Sequence, residues 1–373
     1  MKIGILTFWK TEDNYGQLLQ NYAAQSFLRS LGHETFLVKA TNGHEYNPTL
    51  RDMLMSKLRT AYRLLPYPGY MLKRAAGSFC YTLTHGKLRR RVTKRGFEVF
   101  RKQYLNCTPR EYTLEDLKSC PPQADAFVVG SDQIWNTTDG IYFLSWAPDT
   151  VKKVSMAASF GSRQSSEDFI KLIAPWLSRF DLITVREQGG IAICTEAGAG
   201  DARLVPDPTL MLRAEDYLKI ASGPQCEEPY LFIYFLGTRT RINWKEIHAF
   251  ARRKGLKVIY VGSQGQEDKF PKEEPTVEQW LSLMANAKYV VTNSFHGTVF
   301  AMLFHKQFVV YPVCGVAAKM NDRLTTLLNP LNLSGRIYAG NLAEIEKPIN
   351  YNNVFESLDR ETLAARQTFS SIF

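Results

Sequence analysis

The sequence predicts an α/β fold of two Rossmann-like domains facing a cleft, with a helical, basic insertion in the N-terminal domain. Apolar segments rich in β-branched residues alternate with segments of helical periodicity, first from residue 2 and again from residue 230. The alternation is interrupted at about residues 48–104, where helical, basic and aromatic character dominates. A chain of 373 residues is also too long for one core, so we place the domains at residues 1–212 and 213–373.

The N-terminal domain opens with a βαβ unit. Residues 2–8 form a buried strand, a helix follows Gly16 and stops at Gly32, and the next strand covers residues 33–38. Beyond the insertion, the pattern predicts strands at residues 126–130, 153–160, 182–185 and 203–205, and a helix at residues 167–179.

The C-terminal domain repeats this alternation. Its predicted strands cover residues 230–237, 258–261, 289–292 and 308–311, with helices at residues 244–253, at residues 277–287, up to residue 303 and at the end of the chain. Two such domains facing each other form the architecture called GT-B. Ligands bind open α/β sheets at the carboxyl ends of the strands, so we expect the functional residues there, inside the cleft.

The composition excludes several classes of protein. The hydrophobic fraction of 45% is typical of a folded soluble protein, and no run of about 18 apolar residues predicts a membrane span. The N-terminus resembles a strand rather than a signal peptide, so we expect a cytoplasmic protein. The six cysteines include no C-x-x-C pair and the six histidines no ligand cluster, so we expect neither a disulfide framework nor a metal site.

The formal net charge of +10 suggests an anionic partner. Much of this charge lies in residues 87–95, which an anionic membrane surface, a phosphorylated substrate or nucleic acid would attract. A solvated helix face explains the same residues equally well. No nucleic-acid-binding module is recognisable, so we expect no nucleic acid partner. A peripheral contact with the inner face of the plasma membrane remains an alternative to the solvated face.

Two polar clusters follow predicted strands of the first domain. Asn14, Tyr15 and Gly16 stand where the first helix begins, and free amide groups at a helix N-terminus bind anions or sugar hydroxyls. A capped turn is the alternative. The second cluster offers polar groups and an indole that suit a saccharide. The alternative is that Asp132 caps a helix and Trp135 is a core residue. Its residues are Ser131, Asp132, Gln133, Trp135 and Asn136.

Cationic residues and one histidine follow the later strands. Arg186 ends a strand, and its guanidinium can hold carboxylate or phosphate in a bidentate way. His296 stands at a strand-to-helix turn, where an imidazole can transfer protons near neutral pH. The alternatives are that His296 has a structural, capping role and that the cationic residues are exposed surface charges. The neighbouring polar and cationic residues are Ser294, Gly297, Thr298, Lys319 and Arg323.

Together these motifs resemble the polysaccharide pyruvyl transferase family. The matching segments are residues 2–8, 14–16, 19–20, 130–136, 184–187, 207–210 and 294–298, and Arg323 with residues 327–328. The resemblance implies a GT-B-like enzyme that moves the pyruvyl group of phosphoenolpyruvate onto two hydroxyls of a saccharide, forming a cyclic ketal and releasing phosphate. The acceptor would be a precursor of a capsular or extracellular polysaccharide, free or linked to polyprenyl diphosphate, and no cofactor is implied.

The resemblance also implies roles for single residues. It places His296 in the donor site, where we expect it to act as the acid or to assist the departure of phosphate, and Asp132 is a candidate base. We expect the donor to contact Arg186, Ser294, Gly297, Thr298, Lys319 and Arg323, and the acceptor to contact Asn14, Tyr15, Gly16, Ser131, Gln133, Trp135 and Asn136. Some relatives carry an arginine near the motif histidine where this chain has Phe295. Two other functions fit the same residues: a GT-B glycosyltransferase that uses a sugar nucleotide, and a non-catalytic basic protein that binds glycan or nucleic acid.

Overall fold

The computed structural model describes residues 1–41, 95–162, 165–223, 226–237, 240–264, 266, 268 and 270–373. Most of the predicted insertion, including the basic residues 87–94, lies outside the described residues. None of the helices in the described ranges combines the length and the hydropathy that a membrane span requires.

The strands form two parallel sheets. They are β1 (Lys2–Leu6), β2 (Glu34–Leu37), β3 (Ala126–Val129), β4 (Lys152–Ser155), β5 (Thr184–Val185), β6 (Arg203–Leu204), β7 (Tyr230–Leu236), β8 (Lys257–Ser263), β9 (Tyr289–Thr292) and β10 (Gln307–Val310). One sheet has the order β2-β1-β3-β4 and the other β10-β9-β7-β8, while β5 and β6 form a short pair. The predicted fold of two Rossmann-like units is confirmed.

The helices connect these strands. They are α1 (Tyr15–Ser30), α2 (Phe97–Tyr104), α3 (Leu114–Ser119), α4 (Glu167–Leu177), α5 (Gln188–Glu196), α6 (Ala214–Leu218), α7 (Trp244–Arg253), α8 (Val277–Asn286), α9 (Phe295–Leu303), α10 (Asp322–Leu328) and α11 (Tyr351–Ile372). Short 3₁₀ turns cover Pro208–Leu210, Gly315–Asn321, Ser334–Arg336 and Leu342–Glu346.

One predicted element is clearly too long. The strand expected at residues 153–160 ends at Ser155, because Ala157 has a φ of 55°, in the left-handed region that an extended strand cannot contain. The chain beyond Ser155 therefore turns toward the end of β5, where Ala158 makes an isolated bridge with Val185.

Each sheet reverses its strand order once, and these reversals locate the site. In the first sheet β2 and β3 flank β1, and in the second β8 and β9 flank β7. The chain leaves the carboxyl ends of β1 and β3, and likewise of β7 and β9, in opposite directions, which opens a crevice at each position.

The two units share a continuous core. Tyr15 is fully buried, its ring stacks on Trp280 of α8 at 5.4 Å between centroids, and its hydroxyl donates to the Pro275 carbonyl at 2.7 Å. The C-terminal helix α11 packs back on the first unit, with the rings of Phe369 and Phe27 5.7 Å apart. Apolar packing therefore fixes the orientation of one sheet relative to the other.

Candidate active site

A cavity of about 520 Å³ lies between the carboxyl ends of the two sheets. Both crevices open into it, so residues that follow β1, β3, β7 and β9 all reach its wall. The lining residues are Phe8, Asn14, Gln17, Asp132, Gln133, Leu236, Gly237, Gln264, Asn293, Ser294, Phe295, His296, Val313, Met320 and Arg323.

Two helices begin at the cavity. Asn14 caps α1 by accepting from the Gln17 amide at 3.2 Å, and Ser294 caps α9 by accepting from the Gly297 amide at 3.1 Å. Each helix N-terminus carries a partial positive charge, so both favour an anion in the cavity.

The two helices touch where Gly16 meets His296. A Cβ atom on Gly16 would lie 2.3 Å from the Cβ of His296 and 2.6 Å from its Nδ1. Only a glycine therefore allows this approach, and the backbone of α1 forms one wall beside the imidazole. Gly16 was expected to contact the acceptor. It does not line the cavity, and instead it packs against His296.

Asp207 lies on the other side of the imidazole. Its Oδ2 accepts from Ser131 Oγ at 2.5 Å and from Arg186 at 2.7 Å, and lies 3.7 Å from His296 Nε2. Its Oδ1 accepts from the amide and the hydroxyl of Thr209 at 3.0 and 2.6 Å. Burial alone would raise the pKa of Asp207, but His296, Arg186 and Ser131 hold it well below its ordinary value. Asp207 is therefore an ionised, fully buried carboxylate.

Arg186 lies in a buried cluster of charged side chains. Its side chain is 1% exposed and does not line the cavity. It pairs with Asp207 at 2.7 Å and with Asp132 at 3.5 Å, and its Nε lies 3.8 Å from Glu187. The guanidinium is held among three carboxyl groups and does not line this cavity, and its contact with the donor stays a prediction.

Asp132 faces the cavity from the end of β3. Its backbone has a φ of 77°, an uncommon conformation outside glycine that is enriched at functional sites. Its carboxylate accepts from Gln17 Nε2 at 2.9 Å and from the Gln133 amide at 2.8 Å. Burial would raise the pKa of Asp132, but Arg186, His296 and Gln17 lower it. A carboxylate stabilised in this way is a weak base, which weakens the expected role of Asp132.

Arg323 is the cation that lines the cavity. Its guanidinium lies 5.7 Å from the centre of the Phe295 ring, and its Nε donates to the Met320 carbonyl at 3.3 Å. Within the described ranges it makes no ion pair. Burial and the charge of Arg186 lower the pKa of Arg323 to about 10, so it is still cationic at neutral pH. Lys319, another expected donor contact, is exposed and does not line the cavity.

The three residues beside His296 that were expected to contact the donor differ in their positions. Ser294 lines the cavity, whereas Gly297 and Thr298 are buried and do not. Thr298 donates its hydroxyl to the Ser294 carbonyl at 3.0 Å, and a Cβ on Gly297 would lie 2.4 Å from the Thr292 hydroxyl. Both residues therefore support the turn and do not contact a ligand.

Several expected acceptor contacts are structural. Trp135 is fully buried, stacked on Phe143 at 5.4 Å, and its indole donates to the Tyr142 carbonyl at 2.9 Å, so it cannot stack on a saccharide. Tyr15 is part of the core between the units. Ser131 is buried and donates a hydrogen bond to Asp207, and Asn136 is exposed and does not line the cavity. Asn14 and Gln133 do line the cavity.

Phe8 is the aromatic side chain that the sequence interpretation missed. It follows β1, lines the cavity and is only partly buried. Its position directly after a strand at the crevice was the signal that could have identified it. Asn293, also unassigned, bridges the ends of the central strands of the second sheet by bonding both backbone groups of Leu236.

Arg95, the last residue of the basic segment, is the part of it that the structure describes. It is buried and donates to Ser263 Oγ at 2.9 Å and to the Gly262 carbonyl at 2.7 Å. Arg95 therefore cannot contact a membrane surface, although it was predicted to be part of that surface. Residues 87–94 lie outside the described residues, so their expected membrane contact stays a prediction.

Comparison with solved structures finds similar chains of low sequence identity. A UDP-bound MnaA from S. aureus has 11% identity, a TM-score of 0.46 and covers 96% of this chain and 87% of its own. UDP-GlcNAc 2-epimerase from Methanocaldococcus jannaschii, with UDP-GlcNAc and UDP, has 11% identity, a TM-score of 0.48 and covers 97% and 93%. UDP-bound Alr3699/HepE from Anabaena has 12% identity, a TM-score of 0.43 and covers 100% and 99%.

No curated protein matches the sequence. A family model does match it, over residues 14–314, and its description is polysaccharide pyruvyl transferase. This match covers most of the chain and includes Asn14, Asp132 and His296 of the cavity wall, whereas Phe8 and Arg323 lie outside it. The protein therefore belongs to the polysaccharide pyruvyl transferase family.

Proposed function

We propose that the protein transfers the pyruvyl group of phosphoenolpyruvate onto two hydroxyls of a saccharide, forming a cyclic ketal and releasing phosphate. Membership of the family supports a transferase. The observation that supports phosphoenolpyruvate as the donor is the positive charge of the cavity around Arg323. Its charge, two helix N-termini and His296 all face the same space.

Phosphoenolpyruvate suits this space because it carries a carboxylate and a phosphate. Burial, and after it the charge of Arg186, lower the pKa of Arg323, which means that the cationic form of Arg323 is destabilised where it lies. An anion bound against Arg323 would remove that cost, whereas the nearby carboxylates are already paired with Arg186. The N-terminus of α9 would complete the anion site with its partial positive charge.

The reaction needs a proton at the methylene carbon of the donor. His296, at the N-terminus of α9, would supply it, which creates a cationic centre at C2 that an acceptor hydroxyl attacks. The C2–oxygen bond to phosphate then breaks, phosphate leaves, and the second hydroxyl forms the other ketal bond. One hydroxyl proton restores His296 and the other leaves with phosphate, so the overall reaction consumes no water.

The acceptor would occupy the part of the cavity next to Phe8. A sugar presents an apolar C–H face and a polar rim, and Phe8 with Val313 offers an apolar wall. Asn14, Gln17 and Gln133 place polar groups on the same side of the cavity. The acceptor is proposed as a saccharide, free or carried on polyprenyl diphosphate.

Incubation of labelled phosphoenolpyruvate with soluble and lipid-linked saccharides tests the proposal. We expect label in the glycan and one free phosphate for each pyruvyl group. Transfer from labelled UDP-sugars instead, with none from phosphoenolpyruvate, would show a glycosyltransferase. Arg323→Ala should raise the apparent KM for phosphoenolpyruvate about tenfold or more, since a charged hydrogen bond contributes about 1.5–3 kcal/mol.

Lys319→Ala is the matched control for Arg323→Ala. It also removes one cation, four residues earlier, but Lys319 is exposed and outside the cavity. We expect an unchanged KM for phosphoenolpyruvate. Equal effects of the two substitutions would show that general positive charge, and not the Arg323 contact, attracts the donor.

A further inference from the structure

Residues 207–210 matched the family pattern but received no role, although Asp207 accepts hydrogen bonds from three residues close to the cavity. It receives hydrogen bonds from Ser131 after β3, from Arg186 after β5 and from Thr209, and it faces His296 on α9. Four separate segments therefore meet at one carboxylate that is itself outside the cavity.

We propose that Asp207 is the positioning residue of His296: it holds the imidazole with its proton on Nε2 and stabilises the protonated ring during the reaction. Arg186 acts through Asp207 and does not touch the substrate. The assignment to a reaction step rests on the proposed function, whereas the imidazole–carboxylate pairing does not.

The carboxylate cannot turn away from the ring. Both hydrogen bonds from Thr209 hold Oδ1, so Oδ2 is fixed in the direction of His296 Nε2, 3.7 Å away. That nitrogen is buried and has no hydrogen-bond partner among the described residues. A small rotation of the ring would therefore give Nε2 a partner, as catalytic hydrogen bonds often tighten only when substrate binds.

The imidazole is also confined from the opposite side. The backbone at Gly16 lies so close to the ring that even one added carbon would collide with it. His296 is thus held between the backbone of α1 and the Asp207 carboxylate, which leaves it little freedom to choose another partner.

The carboxylate beside the ring belongs to a buried charged cluster. Arg186 pairs with two ionised carboxylates, Asp207 at 2.7 Å and Asp132 at 3.5 Å. Glu187, the third carboxyl group at Arg186, has its pKa raised by burial, so it adds less negative charge. Asp207 therefore keeps its charge while it pairs with Arg186, and it can also accept a hydrogen bond from His296 Nε2. Placing a proton donor beside a fixed carboxylate is how an imidazole is oriented in hydrolytic triads.

Asp207→Asn tests the assignment because it keeps the shape and removes the charge. We expect kcat to fall about a hundredfold or more, with the KM for phosphoenolpyruvate changed by less than about threefold. In proteins with nitrogen-15-labelled histidine, the wild type should show the His296 proton on Nε2, and the variant should lose that signal or show it mixed between both nitrogens. His296→Gln identifies the signal, and Asp201→Asn, at an exposed aspartate, is the control.

The two measurements separate this inference from the proposed function. An unchanged nitrogen signal in a folded Asp207→Asn protein would overturn the pairing whatever the enzyme catalyses. Wild-type kcat in that variant would overturn the positioning role. If no pyruvyl transfer is found with any acceptor, the proposed function fails, and the nitrogen signal alone decides the inference. Should Asp207→Asn not fold, Ser131→Ala removes one bond to the same oxygen and should change the signal in the same direction.

Discussion

The contact between Gly16 and His296 makes a sharp prediction for Gly16→Ala. The new Cβ would stand 2.3, 2.5 and 2.6 Å from three atoms of His296. These distances are about 1 to 1.7 Å shorter than the 3.5–4.0 Å at which carbon atoms attract each other. The contacted atoms include the Cβ of His296, which cannot move without α9, so either the helices separate or the imidazole is displaced.

The effect on stability should be modest and the effect on catalysis large. Overpacking costs about 1–3 kcal/mol, and alanine in a helix recovers about 1 kcal/mol relative to glycine. We therefore expect the free energy of unfolding to fall by about 2 kcal/mol at most. A displacement of about 1 Å of a catalytic group can cost a hundredfold in rate, so kcat should fall by about that factor.

Phosphate release from phosphoenolpyruvate in the presence of acceptor measures kcat, and urea unfolding measures stability. Gly200→Ala is the control, because Gly200 is exposed, has no atom within 4 Å of an added Cβ and is not in the left-handed region. It should leave kcat unchanged and change stability by about 1 kcal/mol or less. A folded Gly16→Ala protein with kcat within about threefold of the wild type would refute the view that α1 holds His296 in place.

Three further predictions concern the carboxylates and two aromatic residues. The pKa values of Asp207 and Asp132 are held below their ordinary value of 3.8, so their contribution to stability is complete above that value and is lost as pH falls further. Urea unfolding between about pH 2 and pH 6 should show this loss of stability, and Asp207→Asn should make the loss smaller. An equal loss in the wild type and the variant would contradict the view that Asp207 is an ionised carboxylate. Phe8→Ala should raise the KM for the saccharide about three- to tenfold, as expected for a lost aromatic contact. Trp135→Phe should instead lower the free energy of unfolding by about 1–3 kcal/mol, because the Tyr142 carbonyl loses its donor, and leave that KM unchanged.

The fold could be predicted because its signals are local. Periodicity within one segment gave the helix Trp244–Arg253 and the strand Tyr289–Thr292 with their observed bounds. The rule that ligands meet parallel sheets at their carboxyl ends then located much of the cavity wall, including Asn14, Ser294 and His296. Neither inference needs a contact between distant residues.

The assignments that failed depend on such contacts. Tyr15 meets Pro275, whose carbonyl is 260 residues away, and no local pattern distinguishes that buried phenol from one that faces a ligand. Trp135 follows a strand in a polar segment, as a sugar platform would, but Phe143 and Tyr142 cover it. Phe8 was overlooked for the opposite reason, since an apolar residue ending an apolar strand looks like core.

The two arginines show why charge near a site is not enough to assign a role. Arg186 and Arg323 both follow elements that point toward the cavity, and their sequence neighbourhoods are equally polar. Their difference is that Arg186 pairs with Asp207 and Asp132, while Arg323 has only the Met320 carbonyl and the Phe295 ring as described partners. A buried guanidinium with two carboxylates gains little from a third anion, whereas one next to another cation gains much. The donor should therefore bind at Arg323, which has no ion pair among the described residues. Substitution of Arg323 should weaken donor binding, and substitution of Arg186 should change the position of His296 through Asp207.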